Sequence, residues 1–93
     1  MAVRQPARPM LFTFSQAGSY AFWMEDTPSP LTGVWIGPAQ TVIGRWYGVS
    51  NTTVTHVPPA PVVAVIEYPP GWPVPSDGAL LQVGRRCRSR GAL

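Results

Sequence analysis

The 93-residue sequence contains no lysine, one cysteine and one histidine, and charged residues make up only 12% of it. The single Cys87 cannot form an internal disulfide, and one cysteine with His56 cannot supply a four-ligand zinc cage. We therefore expect no metal and no cofactor. Ser15, His56 and Asp26 are the residue types of a Ser/His/Asp catalytic triad, but no nucleophile-elbow spacing supports such a triad.

Long uninterrupted segments are also missing. Gly and Pro occupy 21 positions, and the longest stretch without either is nine residues, so an ordinary helix of about 11 to 12 residues finds no room. The longest aliphatic run, residues 62–66, is far shorter than the ~20 residues that span a bilayer. The N-terminus lacks the apolar region of a signal peptide. The sequence therefore predicts a soluble protein, with its localisation left open.

The sequence does contain the two-residue alternation that is typical of strands. Large apolar side chains recur at every second position in residues 10–14 and again in residues 20–24, on either side of a turn predicted at residues 17–19. We predict that these two segments form an antiparallel hairpin. Its buried face would carry Met10, Phe12, Phe14, Tyr20, Phe22 and Met24.

Five further strands are predicted at residues 33–36, 41–47, 52–57, 62–68 and 80–83. The first two flank a four-residue loop that suits a hairpin, and the apolar run at 62–68 is typical of a strand covered on both faces. About seven short strands predict an all-β fold, a compact β-sandwich or barrel of jelly-roll type. We divide the chain into an N-terminal arm (1–9), one β domain (10–84) and a basic C-terminal tail (85–93).

Several short motifs occur in the order found in a known family. Residues 8–14 match "GMLF.F", residues 18–32 match "G.Y.FWMKNT..PLD", and residues 61–72 match "P.YVLE...GW", with Glu67 at the glutamate position. A closing "G…VGD" is echoed at residues 78–85. Over roughly residues 8–86 the chain thus resembles the uncharacterised bacterial and archaeal domain of unknown function family 192. The resemblance implies the same all-β class.

The chain departs from the family pattern at charged positions. Glu25 and Asp26 stand where the family has Lys and Asn, Thr32 stands where it has Asp, and Arg85 replaces the closing Asp. A mixed polar cluster is therefore acidic here. Relatives also begin with a strand and a "GLM.R" segment that residues 1–9 are too short to supply. We expect one sheet edge to be uncovered and to attract a partner.

Candidate binding residues surround the strand-to-loop turn at residues 23–27. Aromatic and polar side chains there and on the 41–47 strand would line a shallow groove, the usual makeup of a ligand or protein contact site. These residues are Trp23, Glu25, Asp26, Thr27, Arg45 and Trp46. The alternative for Asp26 and Thr27 is a polar cap on the turn, because short oxygen-bearing side chains bond their own backbone.

The basic tail is a second candidate site. Arg85, Arg86, Arg88 and Arg90 could bind nucleic acid or another polyanion by releasing counterions, and the alternative is a solvated end without function.

Three functions compete at this point. The first is a non-catalytic β-sandwich interaction module that works as an oligomer or as a structural subunit of a larger assembly, such as a coat or decoration protein. The second is a small-molecule or carbohydrate-binding domain that uses the turn from Trp23 to Thr27. The third is an unrecognised hydrolase. The composition and the absence of a catalytic motif favour the first.

Overall fold

The computed structural model describes residues 8–81, which form four β-strands and no helix. The strands are β1 (Met10–Gly18), β2 (Leu31–Ile36), β3 (Val42–Gly48) and β4 (Val62–Tyr68). The predicted all-β class is confirmed. The predicted number of strands is wrong for this part of the chain, which has four. Within residues 8–81 there is no helix that could cross a membrane.

The four strands form one antiparallel sheet in the order β1-β4-β2-β3. β2 and β3 make the predicted hairpin, whereas β4 arrives from far along the chain and lies between β1 and β2. The sheet is open, and β1 and β3 are its edges. Residues 8–81 thus give a single sheet and do not confirm a sandwich, a barrel or a jelly roll.

The predicted hairpin over residues 10–24 is wrong. β1 pairs with β4, and residues 20–24 form no regular strand. Their alternation has a different cause, because Phe22 and Met24 are fully buried while the residues beside them are not. The Phe22 ring packs edge-on against Phe12, with 5.7 Å between ring centroids. The predicted apolar face therefore forms by packing on the sheet rather than by strand pairing.

The predicted strand at residues 52–57 is reduced to a single bridge. Phe22 and His56 exchange two backbone hydrogen bonds, with N···O distances of 3.0 and 2.8 Å. Leu80 makes one bridge with Thr41, and residues 82–83 lie outside the described residues. Residues 52–57 are thus a connecting segment bridged to Phe22 rather than a regular strand.

Side chains are buried on both faces of the sheet. The aromatic face, as we call it, contains Phe22, Met24, Leu31, Trp35, Trp46, Val62 and Val65. The aliphatic face contains Val34, Ile36, Val42 and Ala64, with Val74, Ala79 and Leu81 packed against it. β4 contributes to both faces, which confirms that it is covered on both sides. Each fully buried side chain of this size stabilises the fold by roughly 1.5 to 3 kcal/mol.

Candidate functional site

One row of the sheet brings a carboxyl group into the aromatic face. Glu67 on β4 lies opposite Gly33 on β2, and Gly33 lies opposite Trp46 on β3. Residues directly opposite each other in antiparallel strands place their side chains on the same face. Because Trp46 belongs to the aromatic face, Glu67 does too.

Gly33 allows the indole of Trp46 to lie across the sheet. A Cβ atom at position 33 would overlap the Cε2, Nε1 and Cζ2 atoms of that indole. The edge of the ring that carries the N–H therefore lies over Gly33, between β3 and β4. The indole N–H and the Glu67 side chain thus lie on the same face of the sheet, in one row with Gly33 between them.

Glu67 is fully buried, and neither of its carboxyl oxygens has a hydrogen-bond partner within the described residues. Burial raises the pKa of Glu67 to about 8, because the charged form loses its hydration. The side chain is therefore mostly uncharged at pH 7 and can donate as well as accept a hydrogen bond. An unsatisfied buried polar group costs about 1 to 3 kcal/mol. Packing alone does not explain why a glutamate occupies this position.

His56 adds a further buried polar atom beside Trp46. Its ring stacks on Trp46 with 4.7 Å between centroids. His56 Nε2 and Trp46 Nε1 are both buried and have no partner in residues 8–81. Burial lowers the pKa of His56, because the charged imidazolium loses its hydration. The backbone bridge to Phe22 holds this ring over the sheet.

We call Glu67, Trp46 and His56 the polar core site. Aromatic rings surround it, with Phe22 and Trp35 each about 6 Å from Trp46 between ring centroids. Hydrogen bonds are stronger in such a low-dielectric environment than in water. Among the described residues no three His, Cys, Asp or Glu side chains are grouped to hold a metal ion. The chemistry available is hydrogen bonding by an uncharged acid, an indole and an imidazole.

The structure separates the residues of the predicted groove. Thr27 is fully buried, whereas Glu25 and Asp26 are exposed. Asp26 has a φ of 62°, and Thr27 Oγ1 makes a long hydrogen bond of 3.4 Å to the Glu25 carbonyl oxygen. Short polar side chains are the ones that tolerate and cap such turns. These contacts match the alternative of a capped turn.

The side chains of the two tryptophans of the predicted groove have different surroundings. Trp46 lies inside the aromatic face, only 5% exposed. Trp23 lies between buried Phe22 and Met24, so its side chain is directed to the other side of an extended segment. Trp23 is half-buried, and its Nε1 is buried without a partner among the described residues. The structure gives no contact between the two indoles.

Arg45 lies on the opposite face of β3 from Trp46, because neighbouring strand residues alternate. Its guanidinium donates to the Pro75 carbonyl oxygen at 2.7 Å and to the Asp77 carboxylate at 2.9 Å. Arg45 therefore holds the segment that covers the aliphatic face. It does not line a groove with Trp46.

The outer edge of β3 is a second candidate site. Val42 is bonded to residues 78 and 79, but in residues 43–48 we find no backbone hydrogen bond outside the pairing with β2. Side chains that are 60 to 66% exposed follow along the chain, and we call them the apolar edge: Tyr47, Val49, Val54 and Val57. Val57 adjoins His56, whose ring stacks on Trp46, so both ends of this segment lie near β3. An unpaired edge with exposed apolar side chains is a surface for association.

Sequence reasoning missed the role of Glu67, which it used only as a match to a family motif. A usable signal was present, because Glu67 interrupts the apolar run of β4. A strand expected to be covered on both faces has no solvent for a carboxylate, so such a residue needs another explanation. Arg85, Arg86, Arg88 and Arg90 of the predicted polyanion site lie outside the described residues.

Comparison with known families matches residues 4–86 to DUF192, described as an uncharacterised ACR. The chain therefore belongs to this family, and the predicted membership is confirmed. No curated protein matches it.

Among solved structures, the chain is similar to a candidate transcription regulator from Sinorhizobium meliloti 1021, with a TM-score of 0.61 and 21% sequence identity. The similarity covers 91% of this chain and 56% of the other, so the chain spans little more than half of that protein. At this identity the likeness concerns the fold alone.

Proposed function

We propose that this member of the DUF192 family is a non-catalytic interaction module that binds a protein partner along the outer edge of β3. The observation that supports this function is the outer side of β3 at residues 43–48, whose backbone has no hydrogen bond to a described residue beyond the pairing with β2, next to the exposed side chains of the apolar edge. A partner strand that adds to such an edge gains main-chain hydrogen bonds, and pockets for alternate side chains give specificity.

The residues on this edge lack the usual protection against strand pairing. Natural edge strands carry lysines, prolines or inward-pointing charges that prevent association. Residues 43–48 contain no proline, and their one charged side chain, Arg45, is bonded to Asp77 on the aliphatic face. Tyr47 and Val49 instead offer 66% and 63% exposed apolar side chains. This composition favours a surface that is covered when the protein functions.

The partner in this proposal is a second copy or a neighbouring subunit of a larger assembly, of the coat or decoration type. An added strand would extend the open sheet of residues 8–81. The second layer that a sandwich of jelly-roll type requires would come from such an assembly. The similar bacterial protein does not decide between these partners.

Size-exclusion chromatography with light scattering tests the proposal. We expect the wild-type mass to exceed that of the monomer and to depend on concentration. Val49→Lys should return the protein to a monomer, because a lysine on the edge opposes strand pairing. Leu80→Lys, which changes a side chain of similar exposure outside the apolar edge, should leave the mass unchanged. A wild-type monomer at millimolar concentration, or equal loss of association in both variants, would contradict the proposal.

The N-terminal arm is proposed to lie on a neighbouring subunit. Deletion of residues 1–8 should then reduce association while the thermal midpoint is retained, because the arm would not belong to its own core. A lower thermal midpoint without a change in mass would show that the arm belongs to the core of its own subunit.

The tail is proposed to bind polyanions through Arg85, Arg86, Arg88 and Arg90. A chain that ends at Gly84 should keep its thermal midpoint and lose salt-sensitive binding to heparin or DNA. Without the arginines, binding no longer releases counterions from the polyanion. Unchanged binding would remove this proposal.

The other two functions have less support. Thr27 is buried, so the turn at residues 23–27 offers fewer polar groups to a small molecule or carbohydrate than the sequence suggests. For a hydrolase, no hydrogen bond links Ser15, His56 and Asp26 within residues 8–81, and Ser15 and Asp26 are both exposed.

A further inference from the structure

We propose that the polar core site binds the hydroxyl group of a small uncharged molecule, held between the Glu67 carboxyl group and the Trp46 indole N–H over Gly33. This site is separate from the apolar edge and goes beyond the proposed partner binding. The two polar groups lie in one row of the sheet, on either side of a residue that has no side chain.

The placement of the groups selects the chemistry of the ligand. Trp46 Nε1 is only a donor, whereas the Glu67 carboxyl group has unused oxygen acceptors. An ammonium group could donate to Glu67 but could not accept from the indole. A carboxylate could accept from the indole and from a protonated Glu67, but it would bring a negative charge into an apolar face where no described side chain supplies a cation, because Arg45 lies on the opposite face. A hydroxyl group does both, so an alcohol or polyol satisfies both partners with one atom.

Four buried polar atoms without partners, carried by three side chains of the aromatic face and its cover, are more than ordinary packing leaves. Besides the Glu67 oxygens and Trp46 Nε1, His56 Nε2 is buried within the same stack of rings. His56 can serve a second hydroxyl of the same molecule as acceptor or donor, according to its tautomer. On the aliphatic face, the guanidinium of Arg45 has bonding partners. Of the two faces of the sheet, the aromatic face thus holds the buried polar atoms without partners among residues 8–81, and Trp23 Nε1, on the covering segment, is a further one.

A ligand would enter through the cover of the aromatic face, which consists of connecting segments. The segments at residues 20–27 and 49–57 are joined to each other by the bridge between Phe22 and His56 and by the Asn51 N–H donating to the Thr27 carbonyl oxygen at 2.8 Å. Neither segment is a regular strand. Opening the cover would leave the pairing of the four strands intact.

NMR spectroscopy tests this site through the indole N–H resonance of Trp46. Ethylene glycol, glycerol and glucose are titrated into the full-length protein, with methylammonium and formate as probes of the other two ligand classes. We expect a saturable shift of the Trp46 resonance with at least one hydroxyl compound. Saturable shifts of the Trp46 resonance with methylammonium or formate alone would overturn the assignment. The absence of a saturable shift with every probe would overturn it too, and is the result expected if a single water molecule occupies the site.

Variants separate a binding role of Glu67 from a structural one. Glu67→Gln keeps a donor and an acceptor and should retain binding, whereas Glu67→Met has a similar volume and no such groups. We expect Glu67→Met to weaken binding about tenfold or more, the effect of one lost hydrogen bond to a buried polar group. Trp72→Phe, at an exposed tryptophan, serves as the control. Equal affinity in Glu67→Met and the wild type, with both proteins folded by thermal melt, would overturn the proposal.

Discussion

The two faces of the sheet differ in whether their polar side chains have hydrogen-bond partners. On the aliphatic face, Arg45 reaches the Pro75 carbonyl oxygen and Asp77 at the surface, and the buried residues are small aliphatic side chains. On the aromatic face, Glu67 and the Trp46 N–H are buried without partners among the described residues. The first arrangement is explained by stability alone. The second carries a cost in stability, and such costs are characteristic of functional positions.

The largest difference between the faces should appear on truncating Phe22. Its ring packs against Phe12, Trp35 and Trp46, so Phe22→Ala should lower the free energy of unfolding by about 3 to 5 kcal/mol. Ile36→Val on the aliphatic face should cost about 0.5 to 1.5 kcal/mol. Urea denaturation measures both. A loss below about 1 kcal/mol for Phe22→Ala would mean that the segment at residues 20–24 does not cover the aromatic face.

A methyl group at Gly33 sharpens the comparison, because it tests the position of the indole directly. Gly33→Ala must displace Trp46 and should cost about 3 kcal/mol, at the upper end for overpacking. Gly44→Ala on β3 meets its nearest side-chain atom at 3.5 Å, an ordinary contact, and should change stability by less than about 1 kcal/mol. Similar losses in the two variants would mean that the indole does not lie over Gly33.

The charge state of Glu67 makes the stability of the protein depend on pH. Its folded pKa of about 8 lies above the ordinary 4.5, so at pH 7 the folded state holds a proton that the unfolded state has lost. Stability is therefore lost as pH rises toward the folded pKa and levels off above it. Between pH 7 and 9 we expect a loss of about 1.4 kcal/mol.

Glu67→Gln, which cannot ionise, is the control for that loss and should remove most of it. The lowered pKa of His56 acts below this pH window, so it does not mask the effect. A wild-type protein and a Glu67→Gln variant with parallel stability curves from pH 7 to 9 would rule out an uncharged Glu67.

The smallest effect is expected on the aliphatic face. The partner of Arg45, Asp77, is 69% exposed, and exposed ion pairs contribute at most about 1 kcal/mol. Asp77→Asn should therefore change the thermal midpoint little, and added salt should not alter the difference much. A loss comparable to that of Phe22→Ala would show that the segment at residues 74–81 depends on this ion pair.

The sequence predicted local structure better than it predicted which strands pair with each other. The β2–β3 hairpin and the burial of β4 on both faces follow from a short loop and an apolar run, which are properties of neighbouring residues. The pairing of β1 with β4 joins segments about fifty residues apart, and no local pattern contains it. Alternation at residues 20–24 indicated which side chains are buried, but burial alternates in any extended segment and does not require strand pairing.

The candidate site could be predicted only in part, for a related reason. Trp46 was named from the sequence, but its grouping with Arg45 ignored the alternation that places the two on opposite faces. Glu67 and His56 lie on segments whose packing depends on long-range contacts, so their meeting with Trp46 required the fold. The direction of the indole depends on Gly33, a residue that the sequence analysis did not connect with it.

Titration of the Glu67 side chain tests the central claim most directly, that the aromatic face is built around a buried, uncharged acid. The carboxyl carbon resonance, followed by NMR with Glu25 as an exposed glutamate in the same protein, gives the pKa of the group without reference to stability. We predict a midpoint of about 8. A midpoint near the ordinary 4.5 would contradict the account, because it would mean that Glu67 is hydrated or paired with a cation.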